Sequence, residues 1–289
     1  MNACWQAIMF SMLIILPLYS QTNIKDKIKI PDSTTVQILT TTDGSTLNGR
    51  IIEINEADIR FESNVGIVQI PIQKIKDIKE ILTKSIHNGE YWFPNPNSTR
   101  LYIAPTGRML KSGEGYFQNI YIFFIGGAFG ITNNITMGGG ISIFPGAPEQ
   151  VYYLTPKVGF QVAKSVNVAV GTLLMGATGG GETIGIHYGV GSIGNSDGSV
   201  TAGLGWGYSG SHVADKPIIM LGAEKRLTRR TAFVTENWIV PNSDGSFLSF
   251  GLRFFGEGLA IDLAFIRPTG VNGDVGIGIP YVDFVINLK

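Results

Sequence analysis

From about residue 116 to its end the chain alternates between large apolar and small or polar side chains. In "GSVTAGLGWGYSG", residues 198 to 210, Val200, Ala202, Leu204, Trp206 and Tyr208 share one face, and Thr201 and glycines take the other. Ile135, Met137, Ile141 and Ile143 likewise oppose Thr136, Gly138, Gly140 and Ser142. The pattern recurs where Val158, Phe160 and Val162 oppose Lys157, Gly159 and Gln161, and where Leu248, Phe250, Leu252 and Phe254 oppose Ser249, Gly251 and Arg253. It recurs again in Leu259 to Phe265 and in Val282, Phe284, Ile286 and Leu288. Period-two alternation predicts strands with one apolar face. A strand of about ten residues, rising about 3.3 Å per residue and tilted by about 40°, crosses an apolar band of about 25 Å. The expected fold is therefore all-β, an antiparallel transmembrane barrel over 99–289. A soluble sandwich would also alternate, but its outer face would need Lys and Glu.

The connections alternate as well. Short turns fall near 132–134, 163–165, 195–198, 228–229 and 256–257, with longer ones near 145–149, 179–182, 210–216, 241–245 and 268–276. Placing one strand near 117–129 and another near 100–105, with "TGRMLKSGEG" as a loop between them, gives about twelve strands. Two segments fit poorly. "NIYIFFIGGAF" is apolar on both faces. In "TAFVTENWIV", Glu236 shares a face with Val234, Trp238 and Val240, which demands a bulge or a break in the lipid face. The alternating segments resemble Gram-negative outer-membrane barrels. That resemblance implies an outer-membrane location, short turns on the periplasmic side and outer-membrane lipid as a partner.

Residues 33–82 carry shorter strands. Val36, Ile38 and Thr40 precede the turn pair Asp43-Gly44; Gly49 marks a sharp bend; Ile51 to Ile54, Ile59 to Phe61 and Ile67 to Ile70 follow. This order, closing on "IPIQKIKDI", resembles the small five-stranded barrels of the Sm-like and SH3-like type. The Sm-like resemblance brings RNA to mind, yet five basic side chains (Arg50, Arg60, Lys74, Lys76, Lys79) face seven acidic ones (Asp43, Glu53, Glu56, Asp58, Glu62, Asp77, Glu80). The expected partner is a periplasmic protein, with no nucleic acid. Residues 83–98 read as a linker, whose Tyr91, Trp92 and Phe93 suit either a membrane interface or a domain seam.

Composition sharpens this picture. Among 289 residues, 38 are glycine, 15% are charged and the formal net charge is zero. Such a chain is neither disordered nor an electrostatic nucleic-acid binder. Residues 1–20 read as a signal peptide, with an apolar core from Ala7 to Tyr19 and no Lys or Arg before Lys25. The only cysteine, Cys4, would leave with it, so thiol chemistry is excluded from the mature chain.

Candidate chemistry is sparse. Lys157, Arg226 and Arg253 against Glu224, Asp262 and Asp283 are the predicted interior charges, expected to pair across the lumen and narrow it because an unpaired charge there is costly. His187 is expected to point into the barrel; Ser192 would face the other way, whereas Ser249 or Asp262 could approach it. A lone lumen histidine in a polar network is the commoner arrangement. "GVGSIG", 189–194, lacks the following helix that a dinucleotide fingerprint needs. "NSDGS", at 195–199 and 242–246, is a hairpin signal before it is a calcium loop. No metal, cofactor or catalytic residue is expected. The role expected is structural or a narrow passage for a small solute. The rivals are a lipid-modifying barrel enzyme and a soluble periplasmic β-sandwich binding protein.

Overall fold

The computed structural model describes residues 24–87, 89–195, 197–240, 245–270 and 276–288. The expected signal segment, Cys4 and most of the second "NSDGS" lie outside the described residues. Two compact units divide between Trp92 and Phe93.

In the first unit, β1 (Thr35–Thr41), β2 (Thr46–Ile54), β3 (Asp58–Ser63), β4 (Gly66–Pro71) and β5 (Ile75–Leu82) form one antiparallel sheet in the order β4-β3-β2-β1-β5. A turn of 3-10 helix, Ile72–Lys74, precedes β5. The core is Leu39, Ile51, Ile59, Phe61, Ile70, Ile75 and Ile78. Gln37 is buried among them; its side chain takes the Ile51 N–H at 2.9 Å and donates to the Lys29 carbonyl at 2.8 Å. Gly44 turns the first hairpin at φ 88°.

Gly49 is the pivot of β2, paired with Gln37 on one side and Ser63 on the other. A Cβ there would stand 2.0 Å from the Glu62 carbonyl oxygen and 2.7 Å from the Phe61 ring, contacts that only backbone movement relieves. Gly49→Ala should therefore destabilise this unit by about 1–3 kcal/mol. The check is its urea midpoint, followed through its amide NMR signals in the full chain.

Two exposed carboxyls add a pH dependence. The Thr41 hydroxyl and the Ser45 N–H hold Asp43 below the ordinary aspartate value of 3.8, and Asn55 and Gln69 do the same for Asp58. Each favours the charged form in the fold, so its stabilisation is present above the unfolded pKa and is lost as pH falls through the lower folded value. The same urea midpoint should hold steady above about pH 5 and fall below about pH 3.8, less so in Asp43→Asn.

The second unit is a closed antiparallel barrel of twelve strands, one of them interrupted. They are β6 (Gly115–Ile120), β7 (Phe124–Thr132), β8 (Ile135–Ser142) and β9, which runs Val151–Leu154 then Lys157–Ala163 around Pro156. Next come β10 (Val166–Ala177), β11 (Ile184–Gly194), β12 (Gly198–Ser209) and β13 (Ile218–Thr228). The last four are β14 (Thr231–Ile239), β15 (Phe247–Phe255), β16 (Leu259–Pro268) and β17 (Ile279–Leu288). Pairing of β17 with β6, from Leu288↔Gly115 to Asp283↔Ile120, closes the ring.

The outer face is largely apolar: Met137, Phe160, Val170, Val200, Leu204, Trp206, Leu221, Phe233, Phe250, Leu263 and Phe284 are exposed there. Among the described residues no helix is long and apolar enough to cross a membrane. One end of the barrel has tight turns (133–134, 164–165, 229–230, 256–258), and the other has the longer connections.

Twelve strands are present, but not the twelve that turn spacing suggests. The stretch 117–129 is two strands, β6 and β7, joined by a turn at Tyr121 and Ile122 with φ 53° and 70°. Neither positive-φ position holds Gly, Asn or Asp, and a β-branched residue there is rare, so the local pattern hides the turn, which Asn119 braces by donating to the Ile122 carbonyl at 3.2 Å. Residues 100–105, expected as a strand, lie inside the barrel in a turn closed by a bridge from Arg100 to Pro105. One strand too many and one too few cancel.

Candidate functional site: a plugged lumen

Residues 93–114 thread the barrel before its first strand begins. Phe93 lies at the tight-turn end, where its carbonyl accepts from Arg226 Nη1 at 2.8 Å and its ring stacks edge-on against Phe255. The chain rises to a tip at Leu101–Ala104 and returns: Thr106 N–H bonds the Thr99 carbonyl at 3.0 Å, and Gly107 N–H donates to Ser192 Oγ at 2.9 Å. Gly107 has no alternative, since a Cβ would stand 2.3 Å from the Asn167 carbonyl oxygen. Asn97, Leu101 and Tyr102 are almost wholly buried.

A coil inside a barrel has no ladder partner for its backbone, so strand side chains must supply one. Arg253, fully buried, is one of them. Its Nε and Nη2 reach the two Asp262 oxygens at 2.6 and 2.9 Å, and its Nη1 reaches Glu224 Oε2 at 2.8 Å. The remaining valences go to the plug, at the Asn97 carbonyl (2.8 Å) and the Leu101 carbonyl (2.6 Å). Asn95 donates to Glu224 Oε1 at 2.7 Å, and Asn97 to Asp262 Oδ2 at 3.3 Å. One guanidinium thus ties two strands and two points of the plug, and both carboxylates are shared.

Glu236 performs the reciprocal task. Its Oε2 accepts the N–H groups of Tyr102, Ile103 and Ala104 at 2.7, 2.9 and 2.9 Å, and its Oε1 accepts the Trp238 indole N–H at 2.7 Å. Three successive backbone N–H groups converging on one carboxylate make an anion nest, here filled by a residue of the barrel wall. The acid that broke the apolar pattern of β14 is therefore its lumen anchor. The whole face Ala232, Val234, Glu236 and Trp238 points inward, and no bulge is needed. Val234 packs on Leu101, Tyr102 and Ala104 with Ala264 and Tyr281, so that stretch of lumen wall is apolar because the plug is.

The predicted interior charges are partly reunited. Glu224, Arg253 and Asp262 form one cluster. Asp283 pairs instead with Arg100, a plug residue at the start of the stretch expected as a strand near 100–105. Arg226 pairs with Asp197 at 3.3 Å at the tight-turn rim and lies over the rings of Phe93 and Phe255. For Lys157 the expected carboxylate is replaced by three plug carbonyls, of Thr99, Thr106 and Arg108, at 3.0, 3.2 and 2.7 Å.

His187 is a correction. On β11 the buried side chains are Tyr188, Val190 and Ser192, and His187 faces outward, opposite Trp206 and stacked on Tyr208 at 4.6 Å between ring centres. The face of Ile186, Tyr188 and Val190 turns inward because it packs with Met220 and Trp238 in the filled lumen. Ser249 and Asp262 point into the lumen, so neither meets His187. The expected linker residues 93–98 are likewise part of the plug. Its "PNPN" run carries turn-formers and two amides, which was the available signal.

Above the tip lies a cavity of about 280 Å³, facing the end with the longer connections and lined largely by aromatic and aliphatic side chains. The polar anchors Arg253, Glu224 and Asp262 thus hold the plug below its tip, and the apolar cavity lies above it toward the loops.

No protein family matches the chain, and no curated protein does. Among solved structures, the KdgM porin aligns at 6% identity and a TM-score of 0.42, over 60% of this chain and 96% of its own. The outer membrane protein OprD from Pseudomonas aeruginosa aligns at 10% identity and a TM-score of 0.33, over 89% and 94%.

Proposed function

We propose that this chain is an outer-membrane barrel giving a small solute a narrow passage, with the 93–114 plug as its closure. The observation that carries the reading is the pairing of an apolar outer belt with a lumen whose filling is a separate, polar-anchored segment. A purely structural barrel could fill its interior with wall side chains. Here the wall keeps glycines at 138, 140, 159, 203 and 205, and a coil held by side-chain hydrogen bonds occupies part of the space. Up to Ser112 such a coil can leave without breaking a ladder bond; Gly113 and Glu114 already pair with Gly130 of β7.

Orientation follows the tight turns, which face the periplasm in barrels of this kind. The plug enters from that end, so the preceding unit is periplasmic in this reading. We read that unit as a small SH3/Sm-like barrel, supported by the order β4-β3-β2-β1-β5 and the 3-10 turn before β5. Its role is to bind a periplasmic protein that acts on the plug.

The test is electrophoresis with and without boiling, then planar-bilayer conductance. A faster unboiled band, with small, infrequent openings in the wild type and larger ones after Leu101–Ala104 is replaced by a Gly-Ser linker, is the expected result. Recovery in an osmotic-shock fraction with no mobility shift, or silence in both proteins, would sink it.

A further inference from the structure

We infer that Arg100 of the plug holds the place of a solute's cationic group, and that the passage, once the plug is out, prefers small organic cations through Asp283 and Tyr116. The inference rests on the passage proposed above and names the class of solute it admits.

The charge balance comes first. Among the described residues, the acids buried on the barrel strands are Glu224, Glu236, Asp262 and Asp283, and the buried bases are Lys157, Arg226 and Arg253. Arg226 is balanced at the rim by Asp197, which leaves the inner wall with two acids in excess. Residues 93–114 carry Arg100, Arg108 and Lys111 against Glu114, two bases in excess. Plug and wall are electrostatic complements, so a wall stripped of its plug is acidic. Acidic side chains gathered around a pore favour cations.

Position narrows the site. Asp262 and Asp283 stand directly opposite each other on β16 and β17. Like charges in that register repel, so each needs a cation. Asp262 has Arg253 of the neighbouring strand, bonded to Asp262 and Glu224 through contacts that involve no plug atom. Among the described residues Asp283 has only Arg100. One of its oxygens takes the guanidinium, and the other has no hydrogen-bond partner although the side chain is fully buried. Its counter-ion therefore travels with the plug, whereas Asp262 keeps its own. Half of the carboxylate is left over even with Arg100 in place, and a free guanidinium, unlike one tethered to the plug, can engage both oxygens side by side.

The surroundings set the chemical class. The Arg100 guanidinium lies over the Tyr116 ring, 5.8 Å from its centre. Asp283 belongs to β17 and Tyr116 to β6, two paired strands of the wall, so carboxylate and ring both stay when the plug goes. A carboxylate beside an aromatic face suits a guanidinium or a substituted ammonium, which gives up its water more readily than a metal ion does and gains the ring in exchange.

The probe is methylguanidinium, with N-methylurea as its uncharged analogue. It is applied in planar bilayers to the full chain with Arg100–Ala104 replaced by a Gly-Ser linker. The reversal potential in a KCl gradient should show potassium preferred over chloride by at least about threefold. Millimolar methylguanidinium should reduce the single-channel current, and N-methylurea at the same concentration should leave it unchanged. Asp283→Asn in the opened chain should shrink the reversal potential and abolish the block. Tyr116→Leu should keep the selectivity and weaken the block about two- to fivefold. Every variant is first shown to keep its mobility shift on boiling. A reversal potential at zero or favouring chloride, equal block by N-methylurea, or block indifferent to Asp283→Asn would each overturn the assignment. If the opened chain conducts without these signatures, the passage stands and the cation preference falls; if it is silent, both fall.

Discussion

Arg253→Ala should open the passage and weaken the protein together. The guanidinium is fully buried and makes five hydrogen bonds, three to carboxylate oxygens of Asp262 and Glu224 and two to plug carbonyls. Its removal leaves two carboxylates in a site built around one cation, and stripping one partner from a buried ionic cluster costs about 3–5 kcal/mol. The plug loses its bonds at Asn97 and Leu101 at the same time, and the repelling carboxylates hold two of its asparagines. The expected outcome is longer or larger openings in planar bilayers, easier proteolysis between residues 93 and 114, and loss of the boiling-dependent mobility shift at lower temperature. Arg253→Lys keeps the charge without the fork and should fall between. Unchanged conductance with a destabilised barrel would make the cluster a structural rivet alone.

Glu236→Ala should loosen the tip selectively. Three backbone N–H groups lose their acceptor, and each buried unpaired donor costs about 1–3 kcal/mol unless water reaches it. The tip borders the cavity, so water does have a route, and the net effect should sit toward the low end of that sum. Hydrogen exchange of the Tyr102, Ile103 and Ala104 amides reads this directly: all three should speed up by orders of magnitude in Glu236→Ala. In Glu236→Gln, which keeps an acceptor oxygen, they should speed up far less. Equal, small acceleration in both variants would mean that packing of Tyr102 against Tyr281 and Val234, rather than the carboxylate, seats the tip.

Both experiments concern a feature that the alternation conceals. A period-two pattern reports that one face of a strand differs from the other; it does not say what lies beyond each face. On β12, β15, β16 and β17 the apolar face was rightly assigned outward, because the opposite face held glycine, serine or charge. On β11 and β14 the inward face is also apolar, since it meets Leu101, Tyr102, Met220 and Trp238, and the same rule turned His187 the wrong way.

What the sequence determined by itself is what short-range physics controls. The alternation of most strands, the hairpin turns at glycine and asparagine, the apolar belt and the expectation that interior charges pair follow from side-chain period, turn chemistry and the cost of isolated charge in a low-dielectric interior; which charges pair does not. Only the tertiary structure decided that residues 93–114 lie inside the ring. Their backbone has no regular pattern of its own, and many of its hydrogen-bond partners lie 26 to 179 positions away in sequence, at residues such as Thr136, Glu236 and Tyr281. A segment whose satisfaction depends largely on distant side chains looks like a linker until the wall that satisfies it has closed around it.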